Sequence, residues 1–455
     1  MGSIMTSLLN SANAMRVYEG ALEVTENNIT NANTPGYAKQ VANLQAMPFD
    51  LATGESGGVQ LDGAQSSRDQ FAEQAVRDQQ TAVNFYQQKV SDLSPLEDYF
   101  STSNTSGIGP DMSSLFSAFS QLSVNPNDTV SRQAVLNQAT TVAQDFNQAA
   151  NGLLSQGSNV DQGTRGAIDN INQLAQTIAQ LNQQNRVDPQ GGINAGVDAQ
   201  LNAALEQLSQ LVNYTALQQP DGTVSVYVGG QTPLVVSNQV YAIQGDFTAP
   251  QTAVLSSTGA DITSEMTGGQ LSALLDDKNN ILPSYISNLN SLAQSFADQV
   301  NTTLDNGIDE NGAAPVTDLF TYDATTGAAQ TLSVNPMTPD QIAAALPGSP
   351  GGNENALNLA ALANAKDANG YTFAQLYGNL GGQIGSDLSS AQNNQSTKQA
   401  LLNQAQSMRQ QISGVSLDEE AQYVLEYQRS YQAIAETVTI LNSLTQTLMN
   451  MMTNT

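Results

Sequence analysis

Toward the C-terminus the apolar residues recur without interruption. Val424, Tyr427, Tyr431, Ile434, Val438, Leu441, Thr445, Leu448 and Met452 keep a 3-4 spacing over about four heptads, long enough for a coiled-coil seam. Upstream, Ser416-Leu417-Asp418-Glu419 has the form of a capping box, which starts the helix near Leu417. Asp418, Glu419 and Glu420 then sit in the first turn, where the helix dipole favours negative charge.

The N-terminus carries the matching half. Leu8, Met15, Leu22 and Ile29 recur every seven residues, with Ile4, Ser11, Tyr18 and Thr25 at the complementary positions. Ala14, Val17, Ala21 and Val24 form a second stripe beside the first, so the helix is apolar over a wide arc. A lone amphipathic helix of this length is marginal in water. Each buried Leu, Ile or Val is worth roughly 1.5–3 kcal/mol, but only once a surface covers it. The two terminal helices therefore need each other: they read either as core helices of one globular domain or, because both seams sit at chain ends where segments usually fray, as surfaces that neighbouring subunits cover as well.

The N-terminal helix stops in an unusual stretch, Asn27-Asn28-Ile29-Thr30-Asn31-Ala32-Asn33-Thr34-Pro35-Gly36-Tyr37. Pro35 disfavours helix at Thr34, which ends the helix near Asn33. Gly36 can take the positive φ that turns the chain. Asn28, Asn31 and Asn33 can bond orphan carbonyls or a neighbouring backbone without adding charge.

Composition narrows function. The 455-residue chain has no Cys and no His, which removes disulfides, thiolate nucleophiles, Cys-ligated metals and the commonest general base. Its formal net charge of −28 opposes binding to nucleic acid or an anionic membrane surface. No stretch approaches the ~20 apolar residues of a membrane span, and no basic segment followed by an apolar core marks a cleavable signal. Met1-Gly2-Ser3-Ile4-Met5-Thr6 fits a loose acylation pattern, but a helix accounts for it better.

The stretch Asn28 to Tyr37 resembles the N-terminal signature of bacterial flagellar axial proteins, the rod, hook and hook-associated proteins. Ser413-Gly414-Val415-Ser416-Leu417-Asp418-Glu419-Glu420, with Tyr427-Gln428-Arg429-Ser430-Tyr431-Gln432-Ala433, resembles their C-terminal signature. The combination is most similar to the hook-associated proteins of the hook–filament junction (FlgK type). Asn125-Pro126-Asn127-Asp128 with Arg132, and Gly268-Gly269-Gln270-Leu271, resemble that family too. Thr30 stands where alanine is commoner, and Ser416 where asparagine is commoner. The resemblance implies a structural, non-enzymatic subunit without cofactor or metal, polymerising as a homo-oligomeric ring in the extracellular flagellum. Implied partners are hook protein, a second junction protein, flagellin indirectly, and a cytoplasmic export chaperone on the C-terminal helix. Export would proceed without a cleaved signal, and no nucleic acid or membrane insertion is implied. Subunit packing falls to Leu8, Met15, Tyr18, Leu22, Asn28, Ile29, Asn31, Asn33, Pro35, Gly36 and Tyr37, and to Val424, Tyr427, Tyr431, Ile434, Val438, Leu441 and Leu448.

The middle reads as mainly α with inserted β. Phe71, Ala75, Phe85, Val90, Leu93 and Leu96 mark a helix ending near Pro95. Leu115 to Leu122 mark a short one, Val135 to Leu153 a third, and Ile168 to Leu181 a fourth. Their polar opposite faces suit a bundle, and the Ser/Thr/Gly-rich segment 101–110 reads as a loop. From Tyr214 the period shifts to two, with a Pro220-Asp221-Gly222 turn before Val224, Val226 and Val228. This β unit runs to about Ile262. Helix returns from Gly269, residues 311–354 are again short strands, and helices resume near 355. Three nested units are expected: a terminal coiled coil (1–64 plus 413–455), a helical middle domain (65–211, 263–310 and 355–412), and an outer β-rich domain (212–262 plus 311–354) farthest from the chain ends.

Two chemical alternatives are weak. Asp305 to Gly312 resembles a calcium loop, but aligning Gly312 with the required glycine puts Gly307 where a carboxylate belongs and Asp318 where the bidentate Glu belongs. Asp276 and Asp277, and Asp418 to Glu420, read as helix-surface acids. Competing functions are another axial subunit (hook, rod or flagellin-type), or a secreted adhesin or enzyme carried on the flagellum with its graft at 212–262.

Overall fold

The computed structural model describes residues 2–50, 55–100, 107–186, 194–367 and 370–453. The chain opens with helix α1 (Gly2–Asn31) and an antiparallel hairpin, β1 (Gln40–Asp50) and β2 (Glu55–Ser66). Helices α2 (Gln70–Phe100), α3 (Ile108–Val124), α4 (Thr129–Arg186) and α5 (Ala195–Leu211) follow. A four-stranded meander comes next, β3 (Tyr214–Gln218), β4 (Val224–Val228), β5 (Thr232–Val236) and β6 (Gln239–Val240), then the pair β7 (Gln244–Asp246) and β8 (Ala253–Leu255). Helix α6 (Gly269–Asp276) passes through a π-turn at Asp277–Ile281 into α7 (Leu282–Asp305). Strand β9 (Phe320–Thr321), a single-turn helix α8 (Ala328–Thr331) and β10 (Ser333–Val334) lead to α9 (Glu354–Ala361). Helices α10 (Phe373–Ser413) and α11 (Leu417–Thr453) complete the chain.

The fold is mainly helical with small β insertions, as the sequence indicates, but several helix boundaries differ. The helix expected to end near Pro95 continues to Phe100. Leu93, Leu96 and Phe100 are all buried, and anchoring both sides of the proline outweighs its interior cost of about 3 kcal/mol. Phe71, assigned to the same apolar face, is instead 88 % exposed. The third and fourth expected helices are one element, α4, 58 residues long. Val160, Thr164 and Ala167 are buried between the two stripes and carry the periodicity across. Gly163 there lets α6 close in, since a Cβ would lie 3.1 Å from Leu274 Cδ2. Of the expected loop 101–110, residues 101–106 lie outside those described, and α3 already begins at Ile108.

The largest core cluster lies inside the helical bundle. Phe296 of α7 is its centre, with ring centroids 5.4 Å from Phe373 and Phe320, 5.9 Å from Phe116 and 6.1 Å from Phe146. Five elements meet on that one ring. Arg132, only 2 % exposed, donates to the carbonyls of Pro126 (2.7 Å) and Ile342 (2.7 Å), tying the 339–342 turn to α4. Asp128 accepts from the Ser131 N–H (2.9 Å) at the start of α4. The Asn-Pro-Asn-Asp…Arg motif is thus a helix start plus a loop clamp. Gly269, at φ +79°, lies against Leu211 and Val212, where a Cβ would come within 2.6 Å of backbone, so the Gly-Gly motif is a close backbone crossing.

The two β segments do not share a sheet, and they flank different stretches of α4. Asn172 and Asn182 hold Ile243 and Val224 by paired amide–backbone bonds of 2.8–3.0 Å. Asn147 and Arg132 hold Leu332 and Ile342 nearer the other end of α4. At about 1.5 Å per residue these attachments are tens of ångströms apart. Gln218 of β3 bonds Gln70, the first residue of α2. Segment 212–262 therefore sits level with the start of α2, beside the terminal module, and is not farthest from the chain ends. Chain nesting determines which elements are adjacent in sequence. Which end of a helix they cover depends on the direction of α4, which runs antiparallel to α2.

Candidate functional site: the terminal helix pair

Helices α1 and α11 pack along each other. Tyr18 and Tyr427 meet at 6.2 Å between ring centroids, and Tyr423 stacks on Tyr427 at 6.0 Å. On α11, Val424, Tyr427, Tyr431, Ile434, Val438 and Leu441 are half-buried, while Leu448 remains 37 % exposed. On α1, Leu8, Met15, Tyr18 and Leu22 are half-buried, and Ile29 is 38 % exposed. The fully covered positions of α1 are Val17, Ala21, Thr25 and Asn28, close to the second, small-residue stripe. The β1–β2 hairpin lies against this helix too. A Cβ on Gly20 would reach 2.8 Å from Leu61 Cδ2. Strands β1 and β2 carry little signal in the sequence: a short alternation and the turn residues Gly57-Gly58 and Gly63.

Asn28 organises the join between the two chain ends. Its Nδ2 donates to Gln40 O (2.8 Å) and Glu420 Oε2 (3.0 Å). Its Oδ1 accepts from Gln40 N (2.8 Å) and Tyr37 Oη (2.9 Å). An amide has two donors and two acceptor lone pairs, and here all are used. Asn28 thus pairs with the first residue of β1 as a strand backbone would, and grips α11 through Glu420. Lys39 Nζ stands 2.7 Å from Glu419 Oε2 and 3.5 Å from Glu420 Oε1. Burial and the Glu420 carboxylate push the Tyr37 hydroxyl up to about 12, so it stays a donor at any physiological pH. Glu419 spends its carboxylate on Lys39, and its N–H reaches Ser416 Oγ at 3.5 Å. The helix starts at Leu417 as expected, but Glu419 reaches across the module to Lys39.

The rest of the signature stretch faces elsewhere. Asn31 donates to Asn27 O (3.0 Å) and accepts from Thr34 Oγ1 (3.1 Å), closing the helix end, which falls at Asn31. Asn33 and Pro35 are exposed. Gly36 does more than turn. At φ +75° it lies so close to α5 that a Cβ would fall 2.3 Å from Ala199 O. Its carbonyl accepts from Arg68 Nη2 (2.6 Å), and Arg68 also pairs with Asp198 (2.8 Å) and Glu73 (2.5 Å). Arg409 joins Glu73 (3.1 Å) to Glu206 (2.9 Å). Ser413 Oγ bonds Ser67 O (3.0 Å), and its carbonyl accepts Lys39 N–H (2.9 Å). This polar clasp of Arg68, Glu73, Asp198 and Arg409 was missed at the sequence level. Its members are scattered from the β2–α2 link to α10 and carry no local pattern.

Beyond this pair, apolar surface is left open. Met5 and Leu9 on α1, Phe49 on the hairpin, and Leu425, Ile440, Leu444, Met449 and Met451 on α11 are each 49–66 % exposed. Among the described residues no helix is long and apolar enough to cross a membrane, and no group of three acidic side chains is placed to hold a metal. Asp309, in the loop weighed for calcium, accepts the N–H groups of Asn311 and Ala313 at 2.8 Å, which is turn chemistry.

The sequence model of the flagellar hook-associated protein FlgK helical domain matches residues 93–320, half of the chain. The chain belongs to the FlgK family of flagellar hook-associated proteins. Flagellar hook-associated protein 1 of Bacillus subtilis (strain 168) is 28 % identical over 507 aligned positions, covering 99 % of each chain. The protein of the same name from Escherichia coli K12 is 28 % identical over 330 positions, 68 % of this chain and 59 % of that one. The solved structure of the flagellar hook junction protein FlgK from Burkholderia pseudomallei superimposes with a TM-score of 0.66 at 18 % identity, over 76 % of this chain and all of that one. Family membership rests on the bundle, from the end of α2 to β9. The terminal pair lies outside the matched domain but inside the full-length alignment with the Bacillus protein.

Proposed function

We propose that this chain is a non-enzymatic structural subunit of the hook–filament junction, outside the cell, and that it polymerises there as a ring. One observation carries the reading: the apolar arc of α1 and α11 is half closed by their mutual contact and half open to solvent. Exposed apolar area on this scale marks a protein–protein contact, and its place on two paired helices suits side-by-side packing of copies. The packing residues are those of the two seams, from Leu8 to Ile29 and from Val424 to Leu448. Asn28, Gly36 and Tyr37 hold the first helix at a set angle to the body, and Asn31, Asn33 and Pro35 count with the packing residues. Hook protein lies on one side of the ring. A second junction protein, and through it flagellin, lies on the other. Before export without a cleaved signal, a cytoplasmic chaperone covers the open face of α11.

Leu441→Asp or Tyr431→Asp tests this. Either places a charge in the half-buried seam while leaving the helical bundle intact. Cells making the variant are expected to carry hooks, lack filaments and release flagellin into the medium, scored by electron microscopy and by immunoblot of culture supernatant. Filaments of normal length and number on those cells would falsify the proposal.

A further inference from the structure

We infer that the helical body carries its own lateral contact between copies: the outer face of α10 of one copy seats in the groove between α4 and α5 of the next. This rests on the ring reading above and assigns it a second interface, on the helical body.

Where α4 and α5 run side by side they leave a surface groove of about 650 Å³. Gln173, Thr177, Gln200 and Gln207 stand exposed along it, over half-buried Leu174 and buried Leu181. Among the described residues no charged side chain lines it. The nearest acid on α5, Glu206, turns away to Arg409. The outer face of α10 has the same character. Between Ala374 and Gln411 its exposed positions are amides, hydroxyls, small residues and the apolar Leu401 and Met408. Its three charged residues, Asp387, Lys398 and Arg409, are all half-buried; Asp387 accepts from Tyr285 at 2.6 Å and Arg409 belongs to the clasp.

Charge decides the occupant. Copies of a chain with net charge −28 repel one another, and the cores of protein interfaces are depleted of charged residues. A basic partner would require an acidic lining and a nucleic acid a basic one; neither face offers either. The exposed ridge of α10, uncharged and amide-rich along its length, is a surface of that character on the chain itself.

Position agrees. Leu402 and Ala405 of α10 pack on Val76 and Val83 of α2. At the same height α2 holds α5 through Arg77 to Asn202 (2.6 Å) and Thr81 to Ser209 (2.7 Å). Ridge and groove are therefore level with each other but on different sides of one body. A contact between two unlike patches is heterologous, and it closes into a ring when the rotation permits.

The absence of native cysteine makes the test clean. Gln404→Cys on α10 and Gln207→Cys in the groove are introduced together into the full chain in flagellated cells. Isolated flagella are treated with a short bismaleimide. The double variant is expected to give a ladder of covalent dimers and higher multiples, while each single variant stays monomeric. A control pair, Gln133→Cys with Gln207→Cys, also stays monomeric. Immunolabelling in the same preparation locates the chain. Label at the junction without a ladder overturns the lateral contact and leaves the ring reading standing. Gln404→Cys alone yielding dimers that grow no further also overturns it, since that is a two-fold α10–α10 contact. Label absent from the junction overturns the ring reading, and this inference with it.

Discussion

Helix α7 and helix α11 carry the same kind of apolar repeat and end in opposite circumstances. On α7, Tyr285, Leu289, Leu292, Phe296, Val300 and Leu304 are at most 4 % exposed. On α11, the residues from Val424 to Leu441 are half-buried, and Leu425, Ile440 and Leu444 beside them are about half exposed. A 3-4 spacing states that a helix requires cover. It does not state whether the cover belongs to the same chain. The bundle closes over α7 with four further elements, whereas the terminal module offers α11 only α1. The apolar area still in water is free energy of burial held over for assembly.

The contrast can be broken most severely at the centre of the bundle. Phe296→Ala empties the site where four other rings converge, and the expected loss is about 3–5 kcal/mol, read as a lower denaturant midpoint. A loss below about 1 kcal/mol would mean that the bundle core is no tighter than the terminal seam. Asn28→Ala is the corresponding strike at the terminal module. It leaves the backbone N–H and C=O of Gln40 without their partners, a penalty of about 1–3 kcal/mol. Faster hydrogen exchange is expected at Gln40 and along α1, with exchange in α7 unchanged. Equal acceleration in both regions would show that the two unfold as one unit.

The smallest effect concerns pH, and its sign differs between the regions. In the bundle, burial, with a hydrogen bond and repulsion from Asp111, pushes Asp145 up to about 7. Burial, with the neighbouring Asp92, pushes Asp277 up to about 8 against the opposing pull of Lys89. The folded state therefore binds protons that the unfolded chain releases. Their contribution is complete below the ordinary value of 3.8 and is lost as pH rises through about 7 and 8. In the terminal module, the hydrogen bond and charge of Lys39 hold Glu419 below its ordinary value. That contribution is present above the ordinary carboxylate range and fades as pH falls. The groups facing Asp145 are Asp111 and Tyr377. Asp145→Asn should flatten the decline of the bundle midpoint between pH 4 and about 7. Midpoint curves for variant and parent that run parallel across that range would refute the assignment.

Much of the bundle was legible from its residues. The apolar stripes of α3, α7 and α11 lie where their spacing placed them, and the β meander begins at Tyr214 as the change of period indicated. Two features were hidden by local rules. Pro95 reads as a terminator, yet packing on both sides carries α2 through it. The stretch between Leu153 and Ile168 separates two apolar stripes, yet one helix runs through it and α6 approaches at Gly163. In the site, Asn28 and Gly36 were picked out by type, but their partners were not. The reach of Asn28 to Glu420 spans 392 positions, and the clasp joining Arg68 to Asp198 spans 130. No window of sequence contains either pair.

The order of residues alone determined that both chain ends would be amphipathic helices, that neither could remain uncovered, and that thiol and imidazole chemistry had no place in the molecule. Period and composition are properties of neighbouring residues, so they survive without a fold. Tertiary structure decided that an asparagine would join the two ends, that a glycine would dock the terminal module on α5, and that the 212–262 sheet would lie beside that module. Each depends on which way a long helix runs and on what it meets there, and only the closed packing of the whole chain settles that.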